Sequence, residues 1–304
     1  MDILITGAGG FMGRHLRRSL TVRDQTLWGV GRSPTDDPGW LEGGRYLVAP
    51  VEDMGILLAD RDVLPSMVIH CASETGPAAA QRAPSTVIRS ILDSTVAAAS
   101  WCRTHNVPLI HISSFVVYGS VETGLVRESD ACHPLGVYAN AKLMAEMAVQ
   151  AYMSQGLEAV IVRPGSLYGP GERRGSLVRT IMSSVVAGMP VTLTGGGYQT
   201  RDFLHIDDFT AAIWAIVSTP RMSGVYNVGS GRSTSVRRLA ELCCAVAGAD
   251  PDKLLQDGPG RPFGDGNVGL AAFKLYQRVN WRPYIHLLEG LKMTYGGGEA
   301  CMSA

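Results

Sequence analysis

A chain of 304 residues, 46% hydrophobic and 18% charged, is long enough to bury a full core and has the balance of a globular enzyme. Its 27 basic and 27 acidic residues cancel, which removes the electrostatic case for a nucleic-acid partner or an anionic membrane surface. No apolar run approaches the ~18 residues of a membrane-spanning helix, and the first residues start directly on a strand, so a cytoplasmic protein without a signal peptide is expected.

Residues 2–6 read as a β-rich apolar strand. Gly7-Ala8-Gly9-Gly10-Phe11-Met12-Gly13 follows, then a helix that puts Met12, Leu16 and Leu20 on one face. Strand, glycine turn and helix in that order are the setting of a dinucleotide-binding loop. Its glycines let the backbone approach a pyrophosphate, and the helix start offers it unpaired N–H groups. The spacing here is G-x-x-G-x-x-G, so Met12 stands where the last small residue of the commoner G-x-G-x-x-G form belongs.

A second strand, Thr26–Val30, ends in Gly31-Arg32-Ser33. A site built for NAD normally carries an acid at this strand end to hold the ribose hydroxyls. A glycine followed by Arg32 favours NADP instead, because the guanidinium can pair with the 2′-phosphate and stack on adenine. Short strands near 46–49 and 67–71 follow, then a helical pattern over 85–104 and apolar strands at 107–112 and 158–162. Strands alternating with helices predict an α/β fold with a doubly wound parallel sheet of the Rossmann type. Ligands meet such sheets at the carboxyl ends of the strands, which is where the glycines, Arg32, Ala72-Ser73 and Ser113-Ser114 fall.

The reaction chemistry is concentrated between His111 and Lys142. The apolar run 109–112 ends in two hydroxyls, and Tyr138 and Lys142 are four residues apart, so on a helix they share one face. A phenol titrates near ~10 in water. A neighbouring ammonium stabilises the phenolate and makes Tyr138 a usable acid or base near neutrality. Ser114 could hydrogen-bond the substrate oxygen that Tyr138 protonates or deprotonates.

After Pro164 the texture changes to glycine and turns, framing a helix at about 176–188. A dinucleotide-binding domain is expected over 1–164, its sheet completed by part of 198–230, with a smaller α/β substrate lobe over 165–304. Residues 206–217 read as an apolar helix, 226–228 as a strand, and Ser233-Thr234 as the cap of a helix burying positions 236, 239, 243 and 246. The glycine-rich tail after Gly296 is expected to be disordered. The six cysteines show no C-x-x-C pair and no metal-ligand spacing, so reduced thiols and no metal are expected. His70, His111, His205 and the tryptophans read as packing residues.

Six motifs in order resemble one family across nearly the whole chain. They are G-x-x-G-F-x-G at 7–13, S-S-x-x-V-Y-G at 113–119, Y-x-x-x-K at 138–142, R-P-x-x-x-Y-G-P at 163–170, Q-x-R-D-F-x-x-x-D-D at 199–208 and Y-N-V-G at 226–229. The family is the extended short-chain dehydrogenase/reductases, the NAD(P)-dependent epimerase/dehydratase group acting on nucleotide sugars. The resemblance implies that Tyr138 is the catalytic acid/base, Lys142 its partner and a ribose ligand, and Ser114 the substrate-orienting hydroxyl. It places Gly7, Gly10, Phe11, Met12 and Gly13 on the pyrophosphate, Ala72 and Ser73 along the cofactor, and Pro164 near the nicotinamide amide. Arg201 and Arg261 would face the diphosphate of a nucleoside-diphosphate sugar, with Ser166 beside it. A homodimer formed through two helices, one bearing Tyr138, is also implied.

The departures narrow the activity. Where the family's 4,6-dehydratases carry an acidic residue for elimination, this chain has Phe115, Val116 and Val117, and the cysteine of the GDP-fucose synthase branch is missing. Ser90 and Ser166 stand where asparagine is common, and Pro50 where an acidic adenine contact is. Two enzymatic readings remain: an NADPH-dependent 4-ketoreductase, favoured by Arg32, and a 4-epimerase that retains NAD. A non-catalytic NADP-sensing protein is a third, disfavoured because the tyrosine–lysine pair is intact.

Overall fold

Seven segments with buried apolar residues form the main sheet, in a computed structural model that describes residues 1–41, 44–73, 77–121, 124–172, 175–260 and 267–296. The strands are β1 (Asp2–Thr6), β2 (Thr26–Gly31), β3 (Tyr46–Val48), β4 (Met67–His70), β5 (Leu109–Ile112), β6 (Ala159–Pro164) and β7 (Gly224–Val228). Their spatial order is β7-β6-β5-β4-β1-β2-β3, and the pairings from β3 through β6 are all parallel. The order reverses between β1 and β4, the switch point beside which ligands bind in doubly wound sheets. β1, β5 and β6 are buried on both faces, as parallel strands under helices must be.

Two compact units are present. The first comprises Met1–Val117, Cys132–Arg163 and Thr210–Tyr226, and the second Tyr118–Ala131, Pro164–Phe209 and Asn227–Ala304. The described residues of 118–131, grouped by sequence with the first domain, cluster with the second unit. Leu125–Val126 pairs in parallel with Gly269–Leu270, and Asn227 donates to the carbonyls of Val126 and Ala271 at 2.9 and 3.2 Å.

In the first unit the helix after the glycine turn spans Phe11–Thr21 and buries Gly13, Leu16 and Leu20. Met12, expected on that face, is only half-buried. Gly13 takes its place because a Cβ there would lie 2.5 Å from the Gly7 carbonyl oxygen, so the close approach of helix to loop requires glycine. Helix Pro84–His105 ends on Asn106 in the left-handed conformation, and it packs against helix Gly136–Ser154.

The second unit is built around buried carboxylates. Asp202 accepts from the Ser230 and Gly231 amides at 2.6 and 3.0 Å, from the Ser230 hydroxyl at 2.7 Å and from the Leu270 amide at 3.2 Å. Burial pushes its carboxyl above the usual range and those four donors oppose the shift. Asp208 likewise accepts from the Tyr284 and Ile285 amides. Helix Val236–Ala247 is capped by Ser235, one residue later than expected, whose hydroxyl accepts from the Arg238 amide at 3.0 Å. Thr234–Ser235 is also a short strand paired with Thr200–Arg201, and that pairing moves the cap along the chain. The five described cysteines, Cys71, Cys102, Cys132, Cys243 and Cys244, are free thiols. No helix among the described residues is long and apolar enough to cross a membrane.

Candidate active site

The carboxyl ends of β1, β2, β4 and β5 carry the first unit's candidate residues. Gly7 follows β1 with a φ of 68°, a conformation L side chains rarely adopt, and a Cβ there would lie 2.8 Å from the Ala72 backbone. The glycine turn and Ala72 are therefore in direct contact, one after β1 and one after β4. Helix Phe11–Thr21 begins at Gly10 with no side-chain cap and no acid in its first turn, so its first N–H groups have no intrahelical partner. Ser73 adds a buried hydroxyl oxygen that finds no partner among the described residues. Close-packed glycines, helix N–H groups and a buried hydroxyl thus come together here, an arrangement that could hold a phosphate.

A buried relay fixes Ala72. Its amide donates to the Thr6 hydroxyl at 3.3 Å, Thr6 donates to His70 Nδ1 at 2.7 Å, and His70 Nε2 donates to Thr95 at 3.2 Å. Thr95 in turn donates to the Ile91 carbonyl at 2.7 Å, which assigns His70 as the neutral Nε2–H tautomer. Burial, assisted by the charge of Lys142, lowers the His70 pKa to about 3, so the relay keeps its protonation throughout the physiological range. His111 stacks on His70 at 5.5 Å between ring centroids, and burial holds it well below the ordinary histidine value. The packing role expected for these histidines includes fixing the loop after β4.

Lys142 lies on helix Gly136–Ser154, one turn beyond Tyr138, and donates from Nζ to the Ile112 carbonyl at 2.9 Å. That bond ties the ammonium to the last residue of β5, two before Ser114. Burial lowers the Lys142 pKa to about 8, while Cys71 and Glu146 pull it back up. Tyr138 is half-buried against a small apolar cluster that includes Val87, Ile91, Ala141 and Ala145. Ser114 leads into a single helical turn at Phe115–Tyr118, where its hydroxyl accepts from the Val116 amide at 3.4 Å.

One turn further along the same helix, Glu146 binds Arg163, with Nε to Oε1 at 3.0 Å and Nη2 to Oε2 at 2.6 Å. Ser113 donates to the same carboxylate. Tyr138, Lys142 and Glu146 thus form a stripe with a period of four on one helix, and only its first two members were singled out from sequence. The missed signal was the third step of that spacing, together with Arg163, the penultimate residue of β6.

The remaining predicted residues are more scattered. Arg32 directly follows β2 and is exposed, and Pro164 ends β6. Ser166 and Arg201 belong to the second unit, in two different two-stranded sheets: Arg201 stands opposite Thr234, whereas Ser166 faces Phe203 in register and its amide donates to the Asp202 carbonyl at 2.7 Å. Arg261 and the tail after Gly296 lie outside the described residues.

Residues 3–229 match the NAD dependent epimerase/dehydratase family. The chain belongs to that family. It is therefore an NAD(P)-dependent enzyme of nucleotide-sugar modification. Among this family member's relatives, the dTDP-glucose 4,6-dehydratase of Streptomyces antibioticus is 28% identical, over 97% of this chain and 91% of the relative. The GDP-6-deoxy-D-mannose reductase of Pseudomonas aeruginosa is also 28% identical, over 98% and 97%. Among solved structures, the Thermus thermophilus UDP-glucose 4-epimerase in complex with NAD superposes with a TM-score of 0.87 at 26% identity, covering 97% of each chain. The family's relatives therefore span elimination, reduction and epimerisation.

Proposed function

We propose that this enzyme reduces the 4-keto group of a nucleoside-diphosphate-linked sugar with NADPH. The residues that would hold the cofactor are Gly7, Gly10, Phe11, Met12 and Gly13 at the pyrophosphate, Arg32 at the 2′-phosphate, and Ala72, Ser73, Tyr138, Lys142 and Pro164 along its length. When bound, the reduced nicotinamide supplies a hydride for the carbonyl carbon. Tyr138 supplies the proton for the carbonyl oxygen, and Ser114 orients that oxygen. Lys142, held by its bond to the Ile112 carbonyl, stabilises the phenolate left on Tyr138. Ser166 and Arg201 of the second unit, with Arg261, are assigned to the sugar diphosphate, where a planar guanidinium can bind bidentately.

The observation that carries the choice of activity is the lack of an acid after Ser114. An elimination needs a second proton-transfer group, and Phe115, Val116 and Val117 have no titratable atom. An acid that would repel a 2′-phosphate is likewise missing where β2 ends, at Gly31. The 4-epimerase reading uses the same residues twice and is supported by the likeness to the Thermus thermophilus epimerase. Mass spectrometry of the purified protein separates the two. Readily lost NADP supports the reductase, whereas tightly held NAD with interconversion of two nucleotide sugars would establish the epimerase.

A further inference from the structure

The end of β2 holds a packing arrangement that the motif does not announce. β3 pairs with β2 so that Tyr46 stands opposite Gly29. The tyrosine ring runs along β2 past two glycines on the same face: a Cβ at Gly29 would lie 3.0 Å from its Cδ2, and one at Gly31 would lie 2.1 Å from its hydroxyl oxygen. The same hydroxyl is 2.9 Å from where a Cβ on Gly9 would stand, so it sits at the junction of the glycine turn and the strand end. It is anchored there, donating to the Ser33 carbonyl at 2.9 Å, while its ring meets Trp40 at 6.0 Å between centroids. Trp40 is itself buried, and its indole donates to the Ala8 carbonyl at 3.3 Å. Arg14 lies close enough for its charge to act on the Tyr46 phenol, and it also meets the exposed Asp36 at 3.4 Å.

Gly31 is the strand-end position at which a ribose-binding carboxylate would be carried. No side chain can begin there while Tyr46 keeps its place, because the first carbon would overlap the phenol oxygen. We propose that Tyr46 is a specificity-determining residue of the cofactor site. Its phenol occupies the space a carboxylate at position 31 would need. A 2′-phosphate then meets a neutral hydroxyl, with the guanidiniums of Arg14 and Arg32 at the same strand end. The inference rests on the NADPH reading above and names the residue that enforces it.

The test is a set of binding measurements on the cofactor-stripped full chain, using NADPH and NADH fluorescence and thermal shift. Wild type is expected to bind NADPH more tightly. Gly31→Ala, which adds one methyl group and no charge, should weaken both cofactors about tenfold and lower the melting temperature, and Gly31→Ala/Tyr46→Ala should recover both losses. Gly31→Asp/Tyr46→Ala should bind NADH better than NADPH by about tenfold or more, as expected when a ribose-binding carboxylate replaces a charge-assisted phosphate contact. A Gly31→Asp single variant that folds and binds NADH as tightly as the double variant would overturn the role of Tyr46 while leaving the NADPH reading intact. Wild type that binds NADH more tightly would overturn the NADPH reading, and with it the specificity role, while the alanine cycle still reports whether positions 31 and 46 collide.

Discussion

Two strand ends of the same sheet are built on opposite terms. Beyond β5 the chain brings charge into the interior and satisfies it: Lys142 on the Ile112 carbonyl, Glu146 between Ser113 and Arg163. At the end of β2 it removes side chains instead, and Gly29 and Gly31 make room for one tyrosine ring from the neighbouring strand. On the proposed reading the first device serves proton transfer, which demands particular functional groups at particular spacings. The second would act on recognition through shape, which many residue combinations can supply. Chemistry on that reading lies where polar groups are buried and paired, and selectivity where space has been cleared.

The comparison can be broken most forcefully at Glu146. Glu146→Ala leaves Arg163 buried without its carboxylate and should cost about 3–5 kcal/mol of stability, read by chemical denaturation. A loss below about 1 kcal/mol would mean that the pair is solvated and that β5 and β2 do not differ as described. Tyr138→Phe should lower turnover by about 10²–10⁴-fold with NADPH binding nearly unchanged, and Ser114→Ala should cost less, because the proton donor remains. The reverse order of the two losses would exchange their roles.

The pH dependence sharpens the same end. The ammonium of Lys142 is complete below its pKa of about 8 in the cofactor-free chain and is lost as pH rises through that value, taking its support of Tyr138 with it. Turnover should therefore fall above about pH 8, and in Lys142→Met that limb should be absent from whatever activity remains. An unchanged limb in the variant would assign it to another group. The sign for folding runs the other way: a lysine with a depressed pKa is a burden while charged, so its contribution to stability improves between about pH 8 and its ordinary value of 10.5. The smallest effect belongs to the β2 end. Tyr46→Phe removes the bond to the Ser33 carbonyl and should cost about 0.5–1.5 kcal/mol by thermal or chemical unfolding. A change several times larger would indicate that the hydroxyl organises the loop as a whole.

Much of the sheet was legible because short continuous apolar runs, a glycine turn and helical apolar spacing each announce themselves locally. Tyr138 and Lys142 were legible for the same reason, since a spacing of four is a helical contact. Glu146 continues that spacing, yet its meaning depends on Arg163, which only the parallel alignment of β5 and β6 brings near. Tyr46 was invisible because its partners are absences: two glycines gain their meaning from a ring on another strand. The cap falls one residue beyond the expected Ser233-Thr234 because Ser233, Thr234 and Ser235 all carry hydroxyls able to cap, and Thr234–Ser235 pairs as a short strand with Thr200–Arg201. Asp202 read as part of a motif, but its four donors come from residues 230, 231 and 270, beyond the reach of local pattern.

The most direct measurement is the stoichiometry of a single reaction: the enzyme, a slight excess of NADPH and a nucleotide-linked 4-keto sugar, with cofactor oxidation and sugar product followed together. One NADPH oxidised for each C4 alcohol formed is the result the account predicts. Conversion of one 4-hydroxy nucleotide sugar into its epimer, with no net oxidation of added NADPH and no reduction of the keto sugar, would contradict it.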